Sequence, residues 1–440
     1  MPRLAVLVAA AAALLSPTRG AGQVSQPQGL TLAAAVQQAT GNAPGVQTAG
    51  YRVDEARARV GEARARLLPS VSVAGAWYNR SETLASFGLA APGFPAFIPP
   101  FNNLDARVRF TQTLFDYSAW QHLRAERFQT AGSDADRATA IEEAARAAAL
   151  AYVRAVRAAS LLSARQADAE IATQLLSLAE AQLQAGVSAP LDVTRARTQL
   201  VAARGALLVA RNQRQKADID LALALGSDPS ATYVLADTLT GDLGASSAPA
   251  DTAAALALAL ARRADLASEA ATGERAQAER RAIASERLPR IDFTADYGPN
   301  GKTVPTAFAT QNIALVVSIP LLDGFRREAR SDAQRAVAQE SQVRTSDLHR
   351  RIAAQVRAAL LDLGSGIEQH DVAAQRLALA VEELDEARER FASGVAGNID
   401  VITAQASLNL ARDAEIDSRY VTAAARVSLA YAAGVAETIH

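Results

Sequence analysis

The sequence predicts a mainly α-helical protein with a small β part: two pseudo-repeats of a long coiled-coil helical hairpin, plus four membrane-spanning β-strands that several chains must share. Three observations predict this class. Landmarks recur in the same order in both halves, long proline-free segments carry a 3.5-residue period, and four short segments carry a two-residue period.

The duplication is explicit. Gly186-Val187 followed by Asp192-Val193, Ala196 and Leu200 is echoed 208 residues later by Gly394-Val395, Asp400-Val401, Ala404 and Leu408. Leu68-Pro69 is echoed by Leu288-Pro289, and Leu114-Phe115-Asp116 by Leu321-Leu322-Asp323. Asp116 and Asp192 are 76 positions apart and Asp323 and Asp400 are 77, so the two halves match in length as well as in order. Two copies are too few for a solenoid, which needs about three or more. The copies are therefore pseudo-symmetric halves of one assembly.

The helices come next. Proline is absent between Pro100 and Pro190 and after Pro320, so nothing there terminates a helix. Residues 117–185 form one such segment with Gly132 as its only internal glycine, about 100 Å long if helical, and residues 324–392 form its copy. Ile141, Ala145, Ala148, Tyr152, Ala155, Ala159 and Leu162 step by four and three, as do Leu377, Val381 and Leu384, with Phe391 on the same seam. That is the period of supercoiling helices, and alanine at the seam implies close approach. Each Gly-Val-x-x-x-x-Asp-Val segment reads as a tight reversal, with Asp192 or Asp400 capping the returning helix.

The strands alternate instead. Val71, Val73, Gly75 and Trp77; Val108, Phe110 and Leu114; Ile291, Phe293, Ala295 and Tyr297; and Ile313, Leu315, Val317 and Ile319 each lie on one face of a segment whose other face is polar. Four strands of about ten residues match transmembrane β-strands. Of the 21 aromatic residues, 11 lie between Trp77 and Phe128 and 4 between Phe293 and Phe325, as an interfacial belt requires. A soluble sheet with one wet face is the competing reading, and it leaves the aromatic clustering unconnected. Four strands close no barrel and lipid tolerates no open edge, so a homotrimer sharing twelve strands is the natural closure.

Residues 1–22, with Arg3, an apolar run and then Gly20, Ala21 and Gly22, read as a secretory signal peptide. The first repeat then covers 23–226, with a β-hairpin at about 70–115 and a helical hairpin at about 117–226. A linker with a small equatorial element covers 227–251. The second repeat covers 252–440, with its β-hairpin at about 290–320 and its helices at about 324–434. The loop 81–103, 13 residues longer than its counterpart, is expected to fold over or into a barrel mouth, with binding at the cell surface as the other reading. No later segment offers a charge-free apolar run long enough for a membrane-spanning helix.

Composition narrows the function. A net charge of −1 implies no nucleic-acid partner. Zero cysteines exclude disulfides, thiolate metal sites and a lipid-modified N-terminal cysteine. His122, His349, His370 and His440 are scattered, and Glu382, Glu383, Asp385 and Glu386 with Arg388 and Arg390 read as a solvated face. No phosphate loop or nucleophile motif is present, so no cofactor, metal or catalytic residue is expected.

These landmarks together resemble the TolC-like outer-membrane efflux proteins. The resemblance rests on Leu30-Thr31-Leu32 with Ala35 and Pro44, the two Leu-Pro pairs, Leu114-Phe115-Asp116, Pro320-Leu321-Leu322-Asp323-Gly324 and the two reversals, and it covers 30–434. It implies a homotrimer whose twelve-stranded barrel in the outer membrane continues as a helical tube across the periplasm. It also implies a periplasmic tip at Gly186, Val187, Gly394 and Val395 that meets the adaptor, or membrane fusion, protein of an inner-membrane pump, and an aperture lined by Asp192, Asp400 and Thr403. The expected function is then the channel of a tripartite efflux or type I secretion system, a passive conduit for small molecules or proteins. Some members of the family carry a second aspartate where this chain has Thr403, and many carry a lipidated cysteine that it lacks. The alternative is a periplasmic coiled-coil adaptor or scaffold without a pore, which would usually carry one helical hairpin between β-rich domains.

Overall fold

A computed structural model describes residues 29–83, 97–239, 242–393, 395 and 397–440. The expected signal peptide lies outside the described residues. The first half runs through α1 (Leu32–Asn42), α2 (Pro44–Ala65), β1 (Ser70–Thr83), β2 (Phe97–Phe115), α3 (Tyr117–Gln184) and α4 (Pro190–Ala224). The second runs through α5 (Thr252–Arg262), α6 (Ala264–Ser285), β3 (Arg290–Gly301), β4 (Phe308–Ser318), α7 (Arg326–Ala392) and α8 (Asn398–Ala432). Helix lengths repeat closely: 11 residues for α1 and α5, 22 for α2 and α6, 68 against 67 for α3 and α7, and 35 for α4 and α8.

Local chemistry fixes where these helices begin. The Asp116 carboxylate accepts the Ala119 N–H at 2.9 Å, Thr31 accepts that of Ala34 at 3.2 Å, and Asp251 accepts that of Ala254 at 2.8 Å. Each side chain satisfies an orphan donor of a first turn, worth about 1 kcal/mol. Pro44 and Pro190 occupy first-turn positions, where a missing N–H costs nothing.

Among the described residues the core is divided. Three clusters lie along the molecule: one around Tyr152, Leu221, Leu225 and Val427, one around Leu175, Leu384, Phe391 and Leu408, and one around Ile352, Val356 and Leu429. Alanine fills the closest contacts, with Ala145, Ala148, Ala155, Ala255, Ala259 and Ala411 wholly inaccessible. One window of α3 reaches a mean hydropathy of 1.2, and its buried alanines pack against other helices. The linker is tied to the same core. Leu30 pairs with Leu235 as a parallel bridge, and the Tyr152 hydroxyl donates to the Leu30 carbonyl at 2.6 Å. Asp237 accepts the Leu32 N–H at 2.7 Å.

The seam expectation holds over the middle of the predicted stretch in α3, where Ala145, Ala148, Tyr152 and Ala155 are buried, while Ile141, Ala159 and Leu162 are half-buried. It fails at one position in α7. Val381 is exposed, and the buried stripe runs through Ala373, Ala380, Leu384, Ala387 and Phe391. The steps of seven, four, three and four put alanine rather than the larger valine at the closest approach, which is a packing reason for the shift by one residue.

The strands form one antiparallel sheet in the order β1-β2-β3-β4. At 14, 19, 12 and 11 residues they are longer than the ten expected. The described ends of the expected loop 81–103 are strand: Thr83 pairs with Phe97, Glu82 with Ile98 and, just before it, Arg80 with Phe101. The register shifts between Arg80 and Glu82, opposite Pro99 and Pro100, where prolines that cannot donate to a ladder are tolerated. Phe87 and Phe94 lie outside the described residues. Beyond Leu104, which pairs with Gly301, β2 has β1 as its only partner strand among the described residues.

Candidate functional site

The sheet has two chemically opposite faces. On one, cross-strand rows run Val71-Phe110-Ala295-Ile313, Val73-Val108-Tyr297-Gln311 and Gln112-Phe293-Leu315. Several of these apolar side chains are largely uncovered, with Val73 78%, Ile313 66% and Leu315 63% exposed. A water-facing sheet does not leave a continuous apolar surface of this kind bare; lipid covers it at no cost.

The opposite face is polar and internally bonded. Ser72-Arg109-Asp296-Asn312 and Ser70-Thr111-Thr294-Ala314 form its rows. Arg107 bridges Asp105 at 2.7 Å and Asp296 at 2.5 Å, Thr113 donates to Asp292 at 2.9 Å, and Arg290 pairs with Asp292 at 2.8 Å. Such a face suits a water-filled lumen.

The helical reversals sit at the far end of the hairpins. At the first, the Gly186 N–H donates to Leu183 and the Val187 N–H to Gln182, both at 3.0 Å, with Gly186 at φ +73°. This pair of bonds ends a helix through a left-handed residue, the conformation that glycine alone adopts without strain. At the second, the Val395 N–H donates to Arg390 at 3.0 Å in the same relation. Gly394 itself lies outside the described residues. Val187 and Val395 are 69% and 75% exposed.

The capping role expected of the two aspartates is corrected. Ala189 and Gly397 occupy the capping positions, and Asp192 and Asp400 are each the third residue of their helices. Pro190 and Asn398 open the helices two residues earlier than the acids, which moves the carboxylates into the first turn. The Asp192 carboxylate still reaches back to the Ala189 N–H at 3.4 Å, and Arg195 lies 3.7 Å away. Asp400 is exposed and has no ion-pair partner among the described residues. The exposed Thr403 donates to the Ile399 carbonyl at 2.9 Å.

Two features escaped the sequence. Asn398 is wholly buried, and its amide Nδ2 donates to the Asp192 backbone carbonyl at 2.7 Å. Its repeat counterpart is Pro190, so the signal was a departure from the duplication. Higher in the shaft, Asp168 is 3% exposed and accepts from Arg165 at 2.8 Å and Arg412 at 3.1 Å, while Arg165 also pairs with Asp413. Burial pushes the Asp168 carboxyl up despite both guanidinium groups. No cluster of three His, Cys, Asp or Glu side chains suited to a metal exists among the described residues.

An apolar exposed sheet, a polar face behind it and a shaft of paired long helices define an outer-membrane channel subunit with a large helical part. The chain belongs to the outer membrane efflux protein family, whose model matches residues 35–227 and 255–435. It is similar to protein CyaE of Bordetella pertussis, 28% identical over 88% of this chain and 80% of that one, and to outer membrane protein TolC of Escherichia coli K12, 24% identical over 91% and 81%. Among solved structures, the CusC channel superposes with a TM-score of 0.78 at 20% identity, covering 94% of this chain and 95% of that one. The open-state MtrE outer membrane channel of Neisseria gonorrhoeae superposes at 0.76, with 18% identity and 92% and 89% covered. The chain is accordingly an outer-membrane channel component of an efflux or secretion system, with a large periplasmic helical domain. The alternative of a pore-less adaptor or scaffold is set aside by this membership.

Proposed function

We propose that three copies of this chain close one twelve-stranded barrel and one helical tube, forming a passive conduit for small molecules or proteins driven by an inner-membrane pump. The observation that carries this is the open sheet: β1 and β4 are both unpaired edges of a four-stranded sheet with a bare apolar face, and edges are not tolerated in lipid. Joining β4 of one copy to β1 of the next removes both of these edges. The wall carries no catalysis in this reading, and channel families need none.

Gly186, Val187, Gly394 and Val395 form the surface for a periplasmic adaptor protein, supported by the exposure of both valines at the ends of the hairpins. Asp192, Asp400 and Thr403 line the aperture, since they follow directly on the same reversals. Mass measurement of the detergent-extracted native complex tests the assembly: three chains are expected, and a monomer or dimer sinks the shared barrel.

A further inference from the structure

An open cavity of about 710 Å³ lies where β2 passes into α3, lined by Leu114, Phe115, Tyr117, Trp120, Arg124 and Arg127. Its position within one chain is interior to the wall. β2 lies between β1 and β3, and α3 packs against both α2 and α6, so the lining side chains face off the wall's surface rather than toward a neighbouring copy. The register says which surface. Phe115 pairs with Ile291, which shares a face with Phe293 and Ala295 in the apolar rows, so the cavity continues the lipid-covered face.

Its chemistry is amphipathic in a specific sense. Trp120 is 58% exposed, and Leu114, Phe115 and Tyr117 are also exposed. Spacings of three and four place Tyr117, Trp120, Arg124 and Arg127 on one side of α3. Neither arginine has an acidic partner among the described residues, although Arg124 lies over the Phe128 ring. Nearby in the second half, by contrast, Arg287 pairs with Glu328 at 2.5 Å and Arg290 with Asp292 at 2.8 Å. Side chains on a helix lean toward its N-terminus, which here is the membrane end. Two unneutralised guanidinium groups thus reach back toward the headgroup layer, beneath apolar and aromatic side chains that reach into it.

We propose that this cavity binds an anionic phospholipid of the periplasmic leaflet, its phosphate held by Arg124 and Arg127 and an acyl chain laid against Leu114, Phe115 and Trp120. Arginine is suited to that phosphate because its planar fork presents several donors at once, and Phe293 and Phe110 extend the acyl path upward past Gln112. The inference rests on the outer-membrane placement of the sheet.

The test uses the full chain in nanodiscs of mixed phosphatidylglycerol and phosphatidylcholine, followed by native mass spectrometry of the lipids it retains. Preferential retention of phosphatidylglycerol is expected. Arg124→Gln with Arg127→Gln should lower that retention by about tenfold or more and leave phosphatidylcholine unchanged, whereas the paired Lys variant should keep most of it. Equal retention of both lipids by the wild-type chain overturns the site, even where the Gln variant does not fold. Insertion of all variants with unaltered lipid selectivity overturns the site alone, and failure of the wild-type chain to insert overturns the membrane placement beneath it. A photo-crosslinker at position 120 that captures a protein in cells, in place of lipid, also overturns it.

Discussion

The Asn398 amide donates to the Asp192 backbone carbonyl at 2.7 Å, joining the first turn of α8 to the first turn of α4. These turns belong to different halves of the chain, so one neutral hydrogen bond ties the two hairpins together next to their reversals. The donor Asn398 is wholly buried, and Gln182 adds a second tie to the Phe391 carbonyl at 3.3 Å.

Removing that tie should loosen the tip without unfolding the shaft. Asn398→Ala is expected to cost about 1 kcal/mol, spread over long helices whose other contacts are intact, and to raise the open probability of the reconstituted pore. Planar-bilayer recordings check this, and unchanged conductance with an unchanged melting temperature would contradict a hairpin-joining role.

Gly186 and Gly226 make a contrasting pair. Both have positive φ, at +73° and +69°, but a Cβ on Gly186 meets nothing within 4 Å while one on Gly226 would lie 2.5 Å from the Asn42 carbonyl oxygen. Gly186→Ala should therefore cost only backbone strain, about 1–2 kcal/mol, and impair export through the tip. Gly226→Ala adds a collision with the end of α1 and should lower stability further. Thermal melts of the two variants decide it, with equal losses as the failing outcome.

Thr403 sets the charge of the aperture in the proposed assembly. Thr403→Asp adds a carboxylate one helical turn from Asp400, so greater cation selectivity and stronger block by divalent ions are expected. Asp400→Ala should act in the opposite sense. Reversal potentials in asymmetric salt measure both, and a pore indifferent to either substitution removes these residues from the ion path.

His122 on α3 contacts Glu279 on α6 at 3.1 Å, and this hydrogen bond, despite opposing burial, holds the imidazole pKa above its ordinary value. A raised folded-state pKa gives stability that is complete below about pH 6.5 and is lost as pH rises through the raised value. The melting temperature of wild type should exceed that of His122→Gln at pH 5.5 and converge with it in alkaline buffer. A gap independent of pH would show that the pair contributes only packing.

Periodicity made the long helices legible, because a proline-free segment with alternating steps of four and three has few other structures available. The segment 117–185 ends one residue from the observed α3. Val381 shows the limit of that signal: neighbouring positions differ by about 100° around a helix, and hydrophobicity alone chose the larger side chain over Ala380. Contacts between distant segments left no such trace. Leu30 with Leu235, Tyr152 with Asp237 and Asn398 with Asp192 join positions far apart in the chain, and no local period encodes which partner a polar side chain finds. The aspartates of the reversals lie three residues past the capping position for a related reason, since an acid serves a helix start equally well from the capping position or from the first turn.

The two-stranded ribbon formed by residues 97–103 and their partners bears on how this protein can change over generations. Its bonds are internal: Asn79 to Asn102 at 2.8 Å, Arg80 to Glu82 at 3.1 Å, and the Arg80 guanidinium over Phe101. Among the described residues no third strand reads its register, so a substitution there answers to the residue across the hairpin. The rest of the sheet must satisfy neighbours on both sides at once. In the proposed assembly, selection acting from outside the cell can therefore rewrite the ribbon more readily than the wall beneath, which stays fixed by its own pairing.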